Sequence, residues 1–216
     1  MRVPTDLSKK RLLRVKIEES GEKLVDIRKE CPKILIHSQL EKEGSKPLVR
    51  KTIASMLNRA SANLPEGIVL MVRDAYRSSD IQRKVYSGFL KKFKKENPYW
   101  SQPRLKEETN KFVADPQGSI PGGHTTGAAV DVTLAYAKDN RRMAMKTSKL
   151  SYQEQTHIGS KVPNHIRKNR KILYDAMKKA GFVNYPNEWW HYSFGDVFAT
   201  ARQGGKIAIY DAVKQS

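Results

Sequence analysis

The stretch GGHTTGAAVDVTL, residues 122–134, sets His124 and Asp131 seven positions apart, with small residues between them and valines around the acid. Its apolar half, continued to AAVDVTLAY, has the composition of a strand. Gly122, Gly123 and Gly127 allow a sharp turn ahead of that strand, so that His124, in the loop, folds back beside Asp131. Asp131 stands between Val130 and Val132, where an unpaired carboxylate is costly to bury, so it needs a partner. A second fragment offers one. NEWWHYSF, residues 187–194, reads as a short strand with Glu188 three positions before His191. On an extended chain residues three apart point to opposite faces, so these two share a site only if the chain twists or bulges between them. If the strands around Asp131 and His191 pair, the four side chains converge.

Outward from these fragments the chain alternates strand-like and helix-like segments without repeated strand–helix–strand units. KILIHSQ (33–39) predicts a strand, and PLVRKTIASMLNRASANLPEG a helix with Val49, Ile53, Met56, Leu57 and Ala60 on one face, closed by Pro65 and Gly67. GIVLMVRDAYR (67–77) is a buried strand that gathers Arg73, Asp74, Tyr76 and Arg77 where it leaves the core, and strand ends are where sites are commonly built. SDIQRKVYSGFLKKFKKE and PRLKEETNKFVA predict two helices, and DPQGSIPGG a loop that delivers the chain to His124. Residues 138–165 read as a basic surface excursion. IRKNRKILYDAMKKAGF (166–182) is a helix with Ile172, Leu173, Ala176 and Met177 together and Gly181 at its end, and GKIAIYDAV a last short strand. This mixture predicts an α+β fold: one domain, a central, mostly antiparallel sheet flanked by helices, with the four convergent side chains on the sheet. Residues 1–22 are expected to be an N-terminal arm or edge element, and 23–216 a single catalytic domain.

With 216 residues and 38% hydrophobic side chains, the chain can bury a full core. Its 41 Lys and Arg against 22 Asp and Glu leave a net charge of +19, which attracts polyanions in general. The cations are dispersed along helices and do not interleave with aromatics, so no specific nucleic-acid partner is expected. A single cysteine, Cys31, excludes an internal disulfide, suits a small buried apolar role, and fits a reducing compartment. No segment is long and apolar enough to read as a membrane span or signal peptide, so the expectation is a cytoplasmic chain, or a periplasmic or secreted one if a leader was removed.

Hydrolytic zinc takes three nitrogen or oxygen ligands, leaves a position open for water, and works beside a carboxylate that takes the water's proton. His124, Asp131, His191 and Glu188 form that inventory. Either fragment alone is weak evidence, since a capping histidine and a strand-end acid are common; their conjunction is stronger. GHTTGAAVDVTL resembles the His-x-x-Gly-x-Ala-x-Asp motif, EWWHYSFGD the Glu-x-x-His motif, and RDAYR the Trp-Asp-Gly-Tyr-Arg segment of the VanX-type D-alanyl-D-alanine dipeptidases. The wider zinc family includes D,D-carboxypeptidases and some phage endolysins. The resemblance spans roughly residues 47–197 with order and spacing preserved. It implies one zinc ion per chain on His124, Asp131 and His191, Glu188 as general base, and Arg77 as the cation that stabilises charge on the carbonyl oxygen. Read alone, Arg77 pairs equally well with Asp74 or Asp80. Trp189 and Trp190 are expected in the core and pocket wall, His37, His157 and His165 outside the site, and Tyr76 either lining the pocket or packing.

The chain departs from the pattern where the family recognises the substrate's amino end. Gly122 replaces a serine two residues before the first zinc histidine, and MKTSKL (145–150) replaces Met-Gly-Thr-x-Phe-Asp, with Leu150 at the acid's place. Asp139 or Glu154 are the candidates to supply the missing charge. The implied partner is therefore a small D,D-dipeptide or, if the amine is acylated, a cell-wall peptide. A zinc-stabilised polyanion-binding module is the non-enzymatic alternative. It leaves the carboxylate of Glu188 without a use.

Overall fold

The computed structural model describes residues 7–214. In chain order the helices are α1 (Lys9–Leu12), α2 (Ile27–Glu30), α3 (Gln39–Lys42), α4 (Lys51–Ala62), α5 (Ser79–Glu96), α6 (Gln102–Asn110), α7 (Tyr152–Thr156), α8 (Asn164–Lys179) and α9 (Val197–Arg202). The strands are β1 (Lys16–Ile17), β2 (Leu24–Asp26), β3 (Leu35–Ile36), β4 (Leu48–Arg50), β5 (Ile68–Asp74), β6 (Ala129–Tyr136), β7 (Val183–Asn184), β8 (His191–Ser193) and β9 (Ile207–Ala208). Five strands form the central sheet in the order β3-β5-β6-β8-β7, with β3 parallel to β5 and the other pairs antiparallel. The fold is thus α+β with a largely antiparallel sheet, as the mixed order of elements predicts.

Alternation along β6 separates core from site. Val130, Val132 and Leu134 are fully buried and join Ile53, Met56 and Leu57 of α4 and Leu173 and Met177 of α8 in one cluster. Asp131, between the valines, faces the other side of the sheet. α8 ends as its sequence predicts: Gly181 takes a positive φ of 101°, and the Phe182 N–H returns to the Met177 carbonyl at 3.1 Å, leaving Phe182 buried. The thiol of Cys31 is buried, directed at the Ala54 carbonyl, and pushed up to about 11 by burial.

Several elements differ from the sequence reading. Val49 belongs to β4, paired with Val25, because the helix starts only at Lys51. KILIHSQ contributes two strand residues, since His37 already enters the turn before α3. In NEWWHYSF only His191–Ser193 is strand; Glu188 sits in a turn that accepts its N–H at Tyr185 and donates back from His191. GKIAIYDAV pairs only at Ile207 and Ala208, with β1 as a parallel partner. Residues 138–165 are more than a surface excursion: Met143 and Met145 are in the core cluster, and the buried Arg170 of α8 donates to the carbonyls of Met145 (3.0 and 2.7 Å) and Gln155 (2.8 Å).

The N-terminal segment is tied to the chain's other end. Arg50 donates to the Thr126 carbonyl at 2.8 Å, pairs with Glu19 at 3.0 Å, and reaches the Asp211 carbonyl at 3.2 Å. One guanidinium therefore fastens arm, C-terminal segment and the turn carrying His124. Residues 1–6 of the expected arm lie outside the described residues.

Candidate active site

The turn before β6 is braced internally. Thr125 and Thr126 donate their hydroxyls to the Gly122 and Gly123 carbonyls at 2.7 Å, while Gly127 takes φ 71° and its carbonyl accepts from Arg50 N–H at 2.9 Å. A Cβ on Gly127 would sit 2.4 Å from Leu24 Cδ2, and one on Gly123 2.7 Å from Asp196 Oδ2, so the backbone approaches its neighbours as only glycine allows. His124 leaves this turn with Nδ1 donating to the Ala75 carbonyl at 2.7 Å, which fixes its tautomer and turns Nε2 to Asp131 Oδ1 at 3.2 Å. Sheet register supplies the rest. Asp131 pairs directly with His191 between β6 and β8, and His191 Nδ1 lies 2.9 Å from the same Oδ1. One donor atom from each of the three residues falls within 4.8 Å of the others.

Glu188 approaches from its turn, with Oε2 3.9 Å from His191 Nδ1, and is 8% exposed. Burial, then the charge of Asp131, pushes its carboxyl well above the usual range, with Arg77 opposing. Burial also works against the charge of Asp131, but the imidazoles of His124 and His191, by charge and hydrogen bonding, hold it well below that range. The two carboxyl groups are thereby driven in opposite directions.

A bulge at Arg73 aims the end of β5 into the same space. Val72 pairs with Val132, but Asp74 with Asp131, so one extra residue is absorbed. Asp74 Oδ2 accepts from Arg77 Nε at 2.8 Å and again from Nη2, and the Arg77 N–H donates to the His124 carbonyl at 3.1 Å. Burial opposes the Arg77 charge, yet Asp74, Asp131 and Glu188 keep it protonated. The pairing with Asp74 and the position in the cavity hold together.

These residues line a cavity of about 360 Å³. Trp190 is part of its wall and Trp189 packs edge-on behind it, 5.1 Å away, beneath the Arg170 guanidinium. Leu12 of α1 borders the cavity as well. His37 and His157 instead accept N–H groups of their own turns, from Gln39 at 3.2 Å and Gly159 at 3.0 Å, and His165 is exposed. Tyr76 is buried in packing and is not part of the cavity wall. Leu150 and Glu154 also lie off it; Glu154 caps α7 through Ser151, and Asp139 pairs with Arg141 on the surface.

Three residues of the site were not singled out from sequence. Asp196 is buried, caps α9 through Ala199 N–H at 2.7 Å, accepts from Ser193 at 3.0 Å, and is pushed up by burial against the opposing Ala199 hydrogen bond and the field of His191. Its place in EWWHYSFGD was the available signal. Lys146 and Tyr152 come from the excursion, where composition alone marks no site.

Two imidazole nitrogens and a carboxylate oxygen, with one imidazole oriented by a backbone carbonyl, are a donor set suited to zinc. A family model described as D-ala-D-ala dipeptidase, Peptidase_M15, matches residues 25–205. The chain belongs to this family. It is accordingly a zinc D,D-peptidase. A D-alanyl-D-alanine dipeptidase of Synechocystis sp. is 28% identical over 220 residues, covering 88% of this chain and 89% of that protein. Another from Enterococcus faecalis is 29% identical over 103 residues, covering 47% and 48%. Among solved structures, VanYB in complex with D-alanine-D-alanine aligns with TM-score 0.46 and 18% identity over 73% of this chain and 79% of that one.

Proposed function

We propose that the chain hydrolyses the peptide bond of a D-Ala-D-Ala unit, with His124, Asp131 and His191 holding zinc, Glu188 as general base and Arg77 as the oxyanion partner. The pairing of Asp131 with His191 across β6 and β8, with His124 turned onto the same oxygen, carries this reading. A zinc ion held there supplies Lewis acidity that activates water and polarises the scissile carbonyl. Glu188 accepts the proton of the attacking water. As the C–N bond breaks it passes that proton to the leaving amine, a return suited to a carboxyl whose affinity for protons is raised by burial. Arg77, immobilised on Asp74, faces the negative charge that grows on the carbonyl oxygen, a contribution of about 3 kcal/mol by analogy with one oxyanion-hole donor. Residues 23–216 would form the catalytic domain, with 1–22 as an arm whose Leu12 reaches the cavity rim.

A free dipeptide is supported by the dipeptidase relatives. A second reading, an N-acylated D-Ala-D-Ala as in a cell-wall peptide, is supported by the cavity: Leu150, Asp139 and Glu154 are all off its wall, and Lys146 is on it. An ammonium buried without its anionic partner loses about 3–5 kcal/mol. D-alanine release from free and N-acetylated D-Ala-D-Ala, with one equivalent of zinc and after chelation, tests both. Hydrolysis of neither, with Glu188→Ala behaving like the wild type, removes the peptidase reading; strong preference for the free dipeptide removes the second.

A further inference from the structure

The cavity wall carries two cations, Lys146 and Arg73. Lys146 Nζ lies over two neighbouring rings, 5.3 Å from the centroid of Tyr152 and 5.4 Å from that of Trp190. Arg73, the bulged residue of β5, lines the same wall, and its Nε is buried without a hydrogen-bond partner. Neither makes an ion pair among the described residues, in contrast to Arg77, whose charge is spent on Asp74. Glu43, an exposed carboxylate at the rim, pairs with neither. Partial burial and the nearby guanidinium groups of Arg73, Arg142 and Arg170 depress the affinity of Lys146 for its proton, with the charge of Glu188 opposing them. Cations gathered on an open wall, with an unsatisfied N–H among them, are arranged to receive an anion.

We propose that Lys146 and Arg73 form a subsite for a carboxylate carried on the acyl side of the D,D-substrate, away from the scissile bond. Resting on the D,D-peptidase reading above, the proposal narrows its substrate class to acidic N-acyl peptides. Three observations fix that choice. Of the segment 145–150, which carries Leu150 and no acid, Lys146 is the residue on the cavity wall, so this stretch presents a cation to the cavity. Its backbone is held in place because Arg170 anchors the preceding carbonyl, that of Met145, through two hydrogen bonds. The Tyr152 and Trp190 rings limit the reach of the ammonium and offer apolar flanks to an acyl chain.

The alternative role for these cations is to act through Glu188, whose charge attracts both. A pair of substrates separates the two: N-acetyl-D-Ala-D-Ala and N-succinyl-D-Ala-D-Ala, which differ by one remote carboxylate. The zinc-loaded enzyme is expected to favour the succinyl compound about tenfold in kcat/KM, the size of one charge-assisted hydrogen bond. Lys146→Met should bring the ratio toward one, and Lys146→Glu should reverse it. Equal kcat/KM for the two compounds in the wild type, or an equal fractional loss on both in Lys146→Met with a displaced pH profile, overturns the proposal. Calorimetric binding of the same two compounds to zinc-loaded Glu188→Gln gives a readout independent of turnover. Tighter succinyl binding supports the subsite even if neither compound is hydrolysed, in which case the peptidase reading alone fails; equal binding sinks the subsite.

Discussion

The two walls of the cavity are built by different means. On one side, Asp131, His191 and His124 are set by sheet register and by a turn whose hydrogen bonds close within six residues. On the other, Lys146 and Tyr152 belong to an irregular stretch held by one buried cation from a distant helix, Arg170, which serves carbonyls of Met145, Gln155 and, at 3.4 Å, His157. The first wall combines strand pairing with a turn legible in local sequence; the second depends on contacts from a distant helix. A metallopeptidase can thus keep its reaction while its facing wall changes what it accepts.

The largest effect should come from breaking the first wall. Glu188→Ala is expected to lower kcat by up to about 10⁴-fold, as loss of a general base does, while zinc analysis still finds one ion per chain. Arg77→Ala should cost about 10²–10³-fold in kcat, measured on N-acetyl-D-Ala-D-Ala, with the loss appearing mainly in kcat rather than KM. If KM alone rises, Arg77 binds ground state and is not an oxyanion partner.

Breaking the second wall should register in stability. Arg170→Met leaves the carbonyls of Met145 and Gln155 without their donor and should cost about 3 kcal/mol, which for a chain of this size lowers Tm by roughly 6–12 °C. A Tm change of a degree or less would mean that the 138–165 segment is held by Met143 and Met145 packing alone. The smallest effect sharpens the first wall's electrostatics. Burial raises the folded-state affinity of Glu188 for its proton, so its contribution to stability is intact below the carboxyl's unfolded pKa and lost as pH rises through the folded one. Chelated Glu188→Gln should therefore melt above chelated wild type at about pH 8, with the gap closing near about pH 4. A constant gap across that range would show that Glu188 is not strained in the folded state.

The same contrast explains what could be read in advance. The strand around Asp131 and the helices α5 and α8 follow from alternation and helical spacing, and the approach of His124, Asp131 and His191 follows from a short-range glycine turn and strand pairing. Glu188 reads as a strand residue, because WWHYSF is rich in strand formers and the Tyr185–Glu188 turn carries no glycine to mark it. Val49 reads as helical because its spacing to Ile53 fits a helix, while pairing with Val25, a non-local contact, makes it a strand residue. The excursion defeated reading because its order comes from α8. One signal was present: Ile166, Arg170, Leu173 and Met177 fall on one helical stripe, and an arginine on an apolar stripe is a buried cation in need of acceptors.

The central claim, that these side chains share one ion, is tested most directly by diffraction from zinc-soaked crystals recorded at the zinc absorption edge. The account predicts a single anomalous peak per chain, about 2.0–2.2 Å from His124 Nε2, His191 Nδ1 and a carboxylate oxygen of Asp131, with Glu188 close by but not bonded. A peak elsewhere, or one bonded to Glu188 in place of Asp131, would contradict it.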